Sequence, residues 1–183
     1  MKLIQPGNTK LVGIPIFNLP ATKQVCNRIC VGCYAAREQV RFPSVLAVRN
    51  SRYLAAQAPD FASRIISELS SKRKLPTYFR IHASGEFFSQ SYVDSWALIA
   101  QAFPAITFYA YTKRLRDFDF SNLQSLPNFV LINSLHFGSL NYGTTPPPSA
   151  FVCPSATSTC GQSCTYCMTK GQADTHGVYF LKH

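Results

Sequence analysis

Thr77-Tyr-Phe-Arg-Ile-His-Ala83 and Ile106-Thr-Phe-Tyr-Ala-Tyr111 flank a helical stretch, Tyr92 to Phe103, in which Val93, Trp96, Ile99 and Ala100 recur on one face. Both flanking runs are rich in the aromatic and β-branched residues that fit a pleated, half-buried backbone. Ser89 or Ser91 can cap the helix and Pro104 stops it. Strand, helix and strand in such short order predict two parallel strands joined by a right-handed crossover. The pattern extends both ways. Upstream, Asp60 is expected to cap a helix from Phe61 to Ser71, with Phe61, Ile65 and Leu69 at spacing four, and Val12 to Leu19 reads as the first strand, with Pro15 at an edge or kink. Downstream, Phe129-Val-Leu-Ile-Asn-Ser134 is the fourth strand.

Parallel strands bring all their C-terminal ends to one edge, where α/β folds place their sites. Polar residues gather there: a cysteine loop after the first strand, then His82-Ala-Ser84-Gly85-Glu86, Tyr111-Thr112-Lys113 and Asn133-Ser134-Leu-His136. Tyr34 to Val40 reads as a helix leading out of the cysteine loop. Residues 37 to 52, punctuated by Arg37, Arg41, Arg49 and Arg52, give no assignment. Beyond the fourth strand the rhythm breaks at Thr144-Thr-Pro-Pro-Pro148, a stiff connector. Residues 1–183 are read as a single domain, with 1–143 as a βα core and 144–183 as connector, cysteine-rich segment and final strand from Gly177 to His183.

The cysteines divide three and four. Cys26-x3-Cys30-x2-Cys33 supplies three thiolates from one short loop, which can hold one side of a cubic iron–sulfur cluster and leave its fourth iron without a protein ligand. Cys153, Cys160, Cys164 and Cys167 suffice to close a cluster or a tetrahedral zinc site. The reverse assignment stays open, because Cys160-x3-Cys164-x2-Cys167 repeats the first spacing and Cys153 can be a bystander. So does loop-pinning zinc at either group, with His82 or His136 as a fourth ligand of the first. His82, Lys113 and His136 are candidate catalytic residues, with structural hydrogen bonding as the competing reading of the histidines. Tyr109 and Tyr111 are candidates for stacking on an adenine or a base. Alternation is expected to place one inside and one outside.

Eighteen Lys and Arg against eight Asp and Glu give a formal net charge of +10, which favours anionic partners such as nucleic acid or nucleotides. Lys72-Arg73-Lys74 needs no partner of this kind, because cations are favoured at a helix C-terminus. The N-terminus lacks the apolar core of a signal peptide, and no apolar run approaches the ~20 residues that span a bilayer. A reducing cytoplasm is expected, where clustered cysteines are metal ligands more often than disulfides.

Taken together, these residues resemble a family. The cysteine triplet after a first strand is similar to the cluster motif of radical S-adenosylmethionine (radical SAM) enzymes. Asn18-Leu-Pro-Ala21, Cys33-Tyr34-Ala35, Arg80-x-His82-x-Ser84-Gly85-Glu86-Phe87, Tyr109-Ala-Tyr111-Thr112-Lys113 and the cysteine-rich tail resemble more narrowly a poorly characterised group of phage- and plasmid-borne radical-SAM-like proteins. The resemblance implies an α/β fold: a truncated parallel (β/α) partial barrel with a cysteine-rich C-terminal segment. It implies a [4Fe-4S] cluster on Cys26, Cys30 and Cys33 that binds and reductively cleaves SAM, a second, auxiliary cluster on the tail, an electron donor, and host cytoplasm as the place of action. Ser84, Gly85 and Glu86 stand where such enzymes hold the SAM amino group, and Tyr34, bordering the cluster loop, is a further candidate for cofactor binding. Gly32 departs from the aromatic common before the third cysteine, whereas Tyr166 supplies it in the tail. The rival reading is a non-catalytic, metal-stabilised protein of a phage or mobile element that binds nucleic acid or acts as an accessory factor. A zinc-only module that binds another protein is a third.

Overall fold

The computed structural model describes residues 2–27, 30, 32–134, 142–143, 151–154, 159–176 and 178–181. The chain runs through strand β1 (Ile16–Phe17), a short helix α1 (Lys23–Cys26), and helices α2 (Tyr34–Arg41), α3 (Pro43–Ala56) and α4 (Phe61–Ser70). Strand β2 (Tyr78–Ile81), helix α5 (Gln90–Ala102), strand β3 (Thr107–Thr112), the short helix α6 (Ser121–Gln124) and strand β4 (Phe129–Asn133) follow. The tail holds β5 (Tyr142–Gly143), β6 (Phe151–Val152), a 3-10 turn at Tyr166–Met168, α7 (Ala173–His176) and β7 (Val178–Leu181).

β1 to β4 form a parallel sheet in sequence order, with Arg80 opposite both Ile16 and Tyr109, and Ala110 opposite Ile81 and Leu131. The expected parallel α/β core is therefore present. β1 is much shorter than the apolar run from Val12 to Leu19, because Gly13 turns the chain at φ 75°. Its outer edge is met by Gln5, which exchanges backbone hydrogen bonds with Ile16 at 2.9 and 3.0 Å.

Alternation along the strands sends two sets of side chains to opposite faces. Phe17, Phe79, Ile81, Phe108, Ala110, Phe129 and Leu131 face the helices and pack with Phe61, Ile65 and Leu69 of α4 and Val93, Trp96, Ile99 and Ala100 of α5. Trp96 sits at the centre, its ring 5.5 Å from Phe17, 5.7 Å from Phe61 and 5.8 Å from Phe79. Ile16, Tyr109, Val130 and Ile132 face the other way and are covered by the tail, through Met168, Ala173 and Val178, with Cys153, Cys160 and Cys167 packed alongside. In the tail, β7 lies between β5 and β6, parallel to each. Tyr109 and Tyr111 do not divide between inside and outside. Residues two apart on a strand share a face, and both lie on the tail side.

Three local expectations change. Residues 43–56 form α3, with Pro43 at its first position; its buried positions include Arg49, paired with Glu38 at 2.5 Å, and Arg52, whose Nε donates to the Leu3 carbonyl at 2.8 Å while its Nη1 has no hydrogen-bond partner among the described residues. Asp60 does not cap α4 with its side chain; it stands 4.0 Å from Arg64, one turn on. Ser89, not Ser91, caps α5, accepting from the Tyr92 backbone N–H at 3.2 Å.

Candidate functional site

The first cysteine group is set by packing on either side of it. Val25 is fully buried and anchors α1, which ends on Cys26. On the far side, Gln39 of α2 accepts from the Ala21 N–H at 2.6 Å and is braced by Arg49 of α3 at 3.3 Å. Cys33 opens α2, and its N–H bonds to the Cys30 carbonyl at 3.0 Å. Cys26 and Cys33 are half-buried and Cys30 is exposed. Burial pushes the Cys26 thiol up to about 12; the neighbouring charges of Glu86, Cys33 and Cys30 push the same way, and Arg114 opposes them. The three thiols thus share one electrostatic neighbourhood. Lys113, from the end of β3, places its Nζ 2.9 Å from Cys30 Sγ.

The residues after β2 are held by the segment that follows β1. Asn18 Oδ1 accepts from the N–H groups of Ala83 and Ser84 at 2.9 and 3.0 Å, and Ser84 Oγ donates to the Leu19 carbonyl at 2.9 Å. Gly85 has φ 91°, and a Cβ there would stand 2.5 Å from Leu19 Cβ. Gly85→Ala is therefore expected to destabilise the protein by about 2–4 kcal/mol, read as a lowered midpoint in thermal or urea unfolding, because it adds backbone strain to a clash in the core. The segments Asn18–Ala21 and Ser84–Glu86, singled out separately in the sequence, grip each other.

Glu86 is buried, and its carboxylate ties the ends of β2 and β3 together. It accepts from Phe87 N–H at 2.8 Å, Thr112 Oγ1 at 2.9 Å and Lys113 N–H at 2.9 Å. Burial nevertheless raises its pKa to about 7, against those three donors. A carboxylate offers about four acceptor sites, so one remains. Tyr34 is 60% exposed and its hydroxyl donates to the Ala83 carbonyl, which places it beside the same strand end.

His82 turns away from the cysteines. Its Nε2 lies 2.8 Å from Tyr92 Oη and its ring packs on Phe87, within the helix-side core. Burial, with help from Arg80, lowers its pKa to about 3. The unfolded chain takes up a proton near 6.5 while the folded one does not, so the His82 contribution is full above pH 6.5 and is lost as pH falls below it. Glu86 has the opposite slope between about 4.5 and 7. The stability of the wild type minus that of His82→Gln isolates the histidine; it is expected to rise by about 2 kcal/mol from pH 5 to pH 7 in urea unfolding. His136 lies outside the described residues.

The second cysteine group sits against the opposite face of the sheet. Cys153, Cys160, Cys164 and Cys167 line one small cavity with Lys10, Pro154 and Met168. Cys153 N–H bonds to the Tyr179 carbonyl at 2.8 Å, Cys160 N–H to the Lys10 carbonyl at 3.0 Å, and Gly161 N–H to the Cys164 carbonyl at 2.8 Å. Tyr111 donates its hydroxyl to Cys167 Sγ at 2.8 Å. Burial raises the Cys167 thiol to about 11, while Tyr111 and Arg80 pull it down; Cys160 is raised by burial and opposed by Lys10 and Arg80. Tyr166, the aromatic before Cys167, stacks on Phe151 at 3.7 Å.

None of the seven cysteines is in a disulfide. Among the described residues, no three His, Cys, Asp or Glu side chains stand close enough together to hold a single metal ion. A cubane spreads its thiolates wider than one ion does, so convergence of thiols on a common cavity or a common neighbourhood is the relevant observation for a cluster. No helix among the described residues is long and apolar enough to cross a membrane.

Residues 2–142 match the family described as gene product 88. The chain belongs to the gene product 88 family. The match takes in Cys26, Cys30, Cys33 and all four strands of the main sheet, and ends before the tail cysteines. Two relatives, each called gene 88 protein, come from Mycobacterium phage D29 and Mycobacterium phage L5. They are 28% identical over 135 and 134 residues, covering 68% of this chain and 56% of each relative. The chain thus spans little more than half the length of the curated relatives it matches. These relatives are phage proteins, in keeping with the phage-borne group expected from the sequence. No solved structure matches the chain.

Two site neighbours were not singled out in the sequence for what they do. Arg80 was visible only as part of a motif, and Lys113 only as a candidate catalytic group. Neither contact is readable from spacing, because Lys113 and Cys30 lie 83 residues apart.

Proposed function

We propose that this protein is an iron–sulfur protein that uses Cys26, Cys30 and Cys33 to hold a site-differentiated [4Fe-4S] cluster and to bind and reductively cleave SAM. A second, auxiliary metal centre sits on Cys153, Cys160, Cys164 and Cys167. The observation that carries the reading is that three thiols of one loop share one electrostatic neighbourhood at the C-terminal edge of a parallel sheet, while the other candidate donors are engaged elsewhere: Glu86, the carboxylate beside Cys26, holds Phe87, Thr112 and Lys113. His82, the nearest candidate in sequence terms, is engaged by Tyr92. When bound, such a cluster supplies the electron that breaks the C5′–S bond of SAM, giving methionine and a 5′-deoxyadenosyl radical.

The residues of the chain have separable tasks in this account. Cys26, Cys30 and Cys33 bind the cluster as thiolates, and Lys113 places a cation against Cys30, the most exposed of the three. Arg114 lowers the cost of negative charge at Cys26. Within Ser84-Gly85-Glu86, Ser84 and Gly85 are spent on packing, and Glu86 alone keeps an acceptor for an ammonium group. The sheet order β1-β2-β3-β4 is compatible with a truncated partial barrel, in which the tail covers the face that further strands would otherwise enclose. The test is to reduce the anaerobically reconstituted protein with dithionite in the presence of SAM. 5′-Deoxyadenosine is expected; a loaded protein that yields none contradicts the cleavage step.

A second reading is favoured by the net charge of +10 and by Lys113 standing beside the exposed Cys30. Here the metal sites fix loops and the cations contact phosphates, as in a nucleic-acid-binding accessory protein of a phage. Salt-dependent binding of DNA or RNA, with no binding of SAM, would select it.

A further inference from the structure

Arg80 is a cation without a carboxylate partner among the described residues. It lies on the tail side of the sheet because Phe79 and Ile81, its neighbours in β2, take the helical side. Its guanidinium carbon is 4.6 Å from the Tyr111 ring centre and 5.3 Å from that of Tyr109. Its Nε donates to the His82 carbonyl at 3.3 Å. These contacts, together with a polar side-chain contact to Tyr109, bring no carboxylate to the guanidinium among the described residues and leave its charge unneutralised.

A half-buried charge of this kind costs stability unless an opposite charge lies close. The groups at hand are the tail cysteines. Tyr111 bridges from the guanidinium to Cys167, donating its hydroxyl to Sγ at 2.8 Å, and the field of Arg80 reaches Cys160 as well. As neutral thiols they offer the cation nothing. Metal binding converts them to thiolates. Four thiolates on a zinc ion, or on an oxidised cubane, leave a net charge of about −2.

We propose that Arg80, with Lys10 at the same cavity, is a counter-cation of an anionic four-thiolate metal centre on Cys153, Cys160, Cys164 and Cys167, with Tyr111 as the hydroxyl donor between Arg80 and Cys167. The inference rests on the reading of the tail as a metal site and is independent of SAM chemistry. It makes Arg80 a positioning and charge-balancing residue rather than a ligand. It also explains why a cation occupies the sheet face that the cysteine tail covers. The sign of the charge presented to Arg80 is the same for a zinc site and a cubane; a single ion additionally requires the four thiols to draw together from the positions described.

The test uses the full chain carrying Cys26→Ser, Cys30→Ser and Cys33→Ser, so that thiolate binding reports the tail alone. Cobalt(II) is titrated into this parent and followed by its thiolate-to-metal absorption. Arg80→Met in the same background is expected to weaken cobalt binding about 10-fold or more, and Arg80→Lys less than about 3-fold. The metal-free Arg80→Met protein is expected to melt at or above the metal-free parent, because an unpaired charge has been removed. Equal cobalt affinity in the parent and in Arg80→Met overturns the inference and leaves the tail as a metal site. So does a metal-free Arg80→Met protein that melts well below its parent or does not fold, since Arg80 would then be a structural residue. A parent that takes up no cobalt overturns both the inference and the metal reading of the tail.

Discussion

Cys30→Ala is expected to abolish reductive SAM cleavage while the tail centre stays loaded. Cys30 is the exposed member of its group and touches Lys113 rather than the core, so the change removes a ligand without removing packing. Two thiolates from one loop would remain, and His82, bonded to Tyr92 in the helix-side core, is not placed to replace the third. Iron should fall from about eight to about four per chain, the loss of one cubane. The unfolding free energy of the metal-free protein should move by less than ~0.5 kcal/mol, as for other exposed positions. That pairing separates a ligand from a structural residue. Cleavage that persists in Cys30→Ala would transfer the reactive cluster to the tail, whose Cys160, Cys164 and Cys167 repeat the same spacing.

Trp96→Ala is expected to have the largest effect on the fold. Trp96 is fully buried where α5 meets the sheet, with the rings of Phe17, Phe61 and Phe79 around it. These neighbours belong to β1, α4 and β2, so a cavity there loosens the elements that carry both the cysteine loop and the Glu86 segment. Removing so large a side chain costs about 3–5 kcal/mol, a substantial part of the ~5–15 kcal/mol that holds a typical domain together. Urea unfolding should show a lower midpoint with an unchanged slope. A change below ~1 kcal/mol would mean that the helix-side packing is not as described.

Much of this architecture was legible in the sequence, and the failures have physical causes. β2, α5, β3 and β4 fell close to their expected bounds because their apolar residues keep the period of one element throughout. α3 was missed because its buried side includes Arg49 and Arg52, and charged residues at core positions hide the helical period. Arg49 pairs with Glu38 and Arg52 donates to the Leu3 carbonyl, partners that the helical period does not reveal. The run from Val12 to Leu19 looked like a long strand because it is apolar, but apolarity there serves burial while Gly13 turns the backbone. At the site, the cysteines and Glu86 were readable as residue types, whereas their division of labour was not. Nothing in the sequence says that Glu86 would bond to Thr112 and Lys113, or that Arg80 would lie between two tyrosines beneath the second cysteine group. Those facts follow from strand register, which only the assembled sheet supplies.

The central claim is that this member of the gene product 88 family carries iron–sulfur clusters on its two cysteine groups. Iron, acid-labile sulfide and zinc measured on protein purified without oxygen test it most directly. The account predicts about eight irons and eight sulfides per chain, falling to about half when Cys26, Cys30 and Cys33 are replaced by serine. Protein that carries zinc with no iron would contradict it.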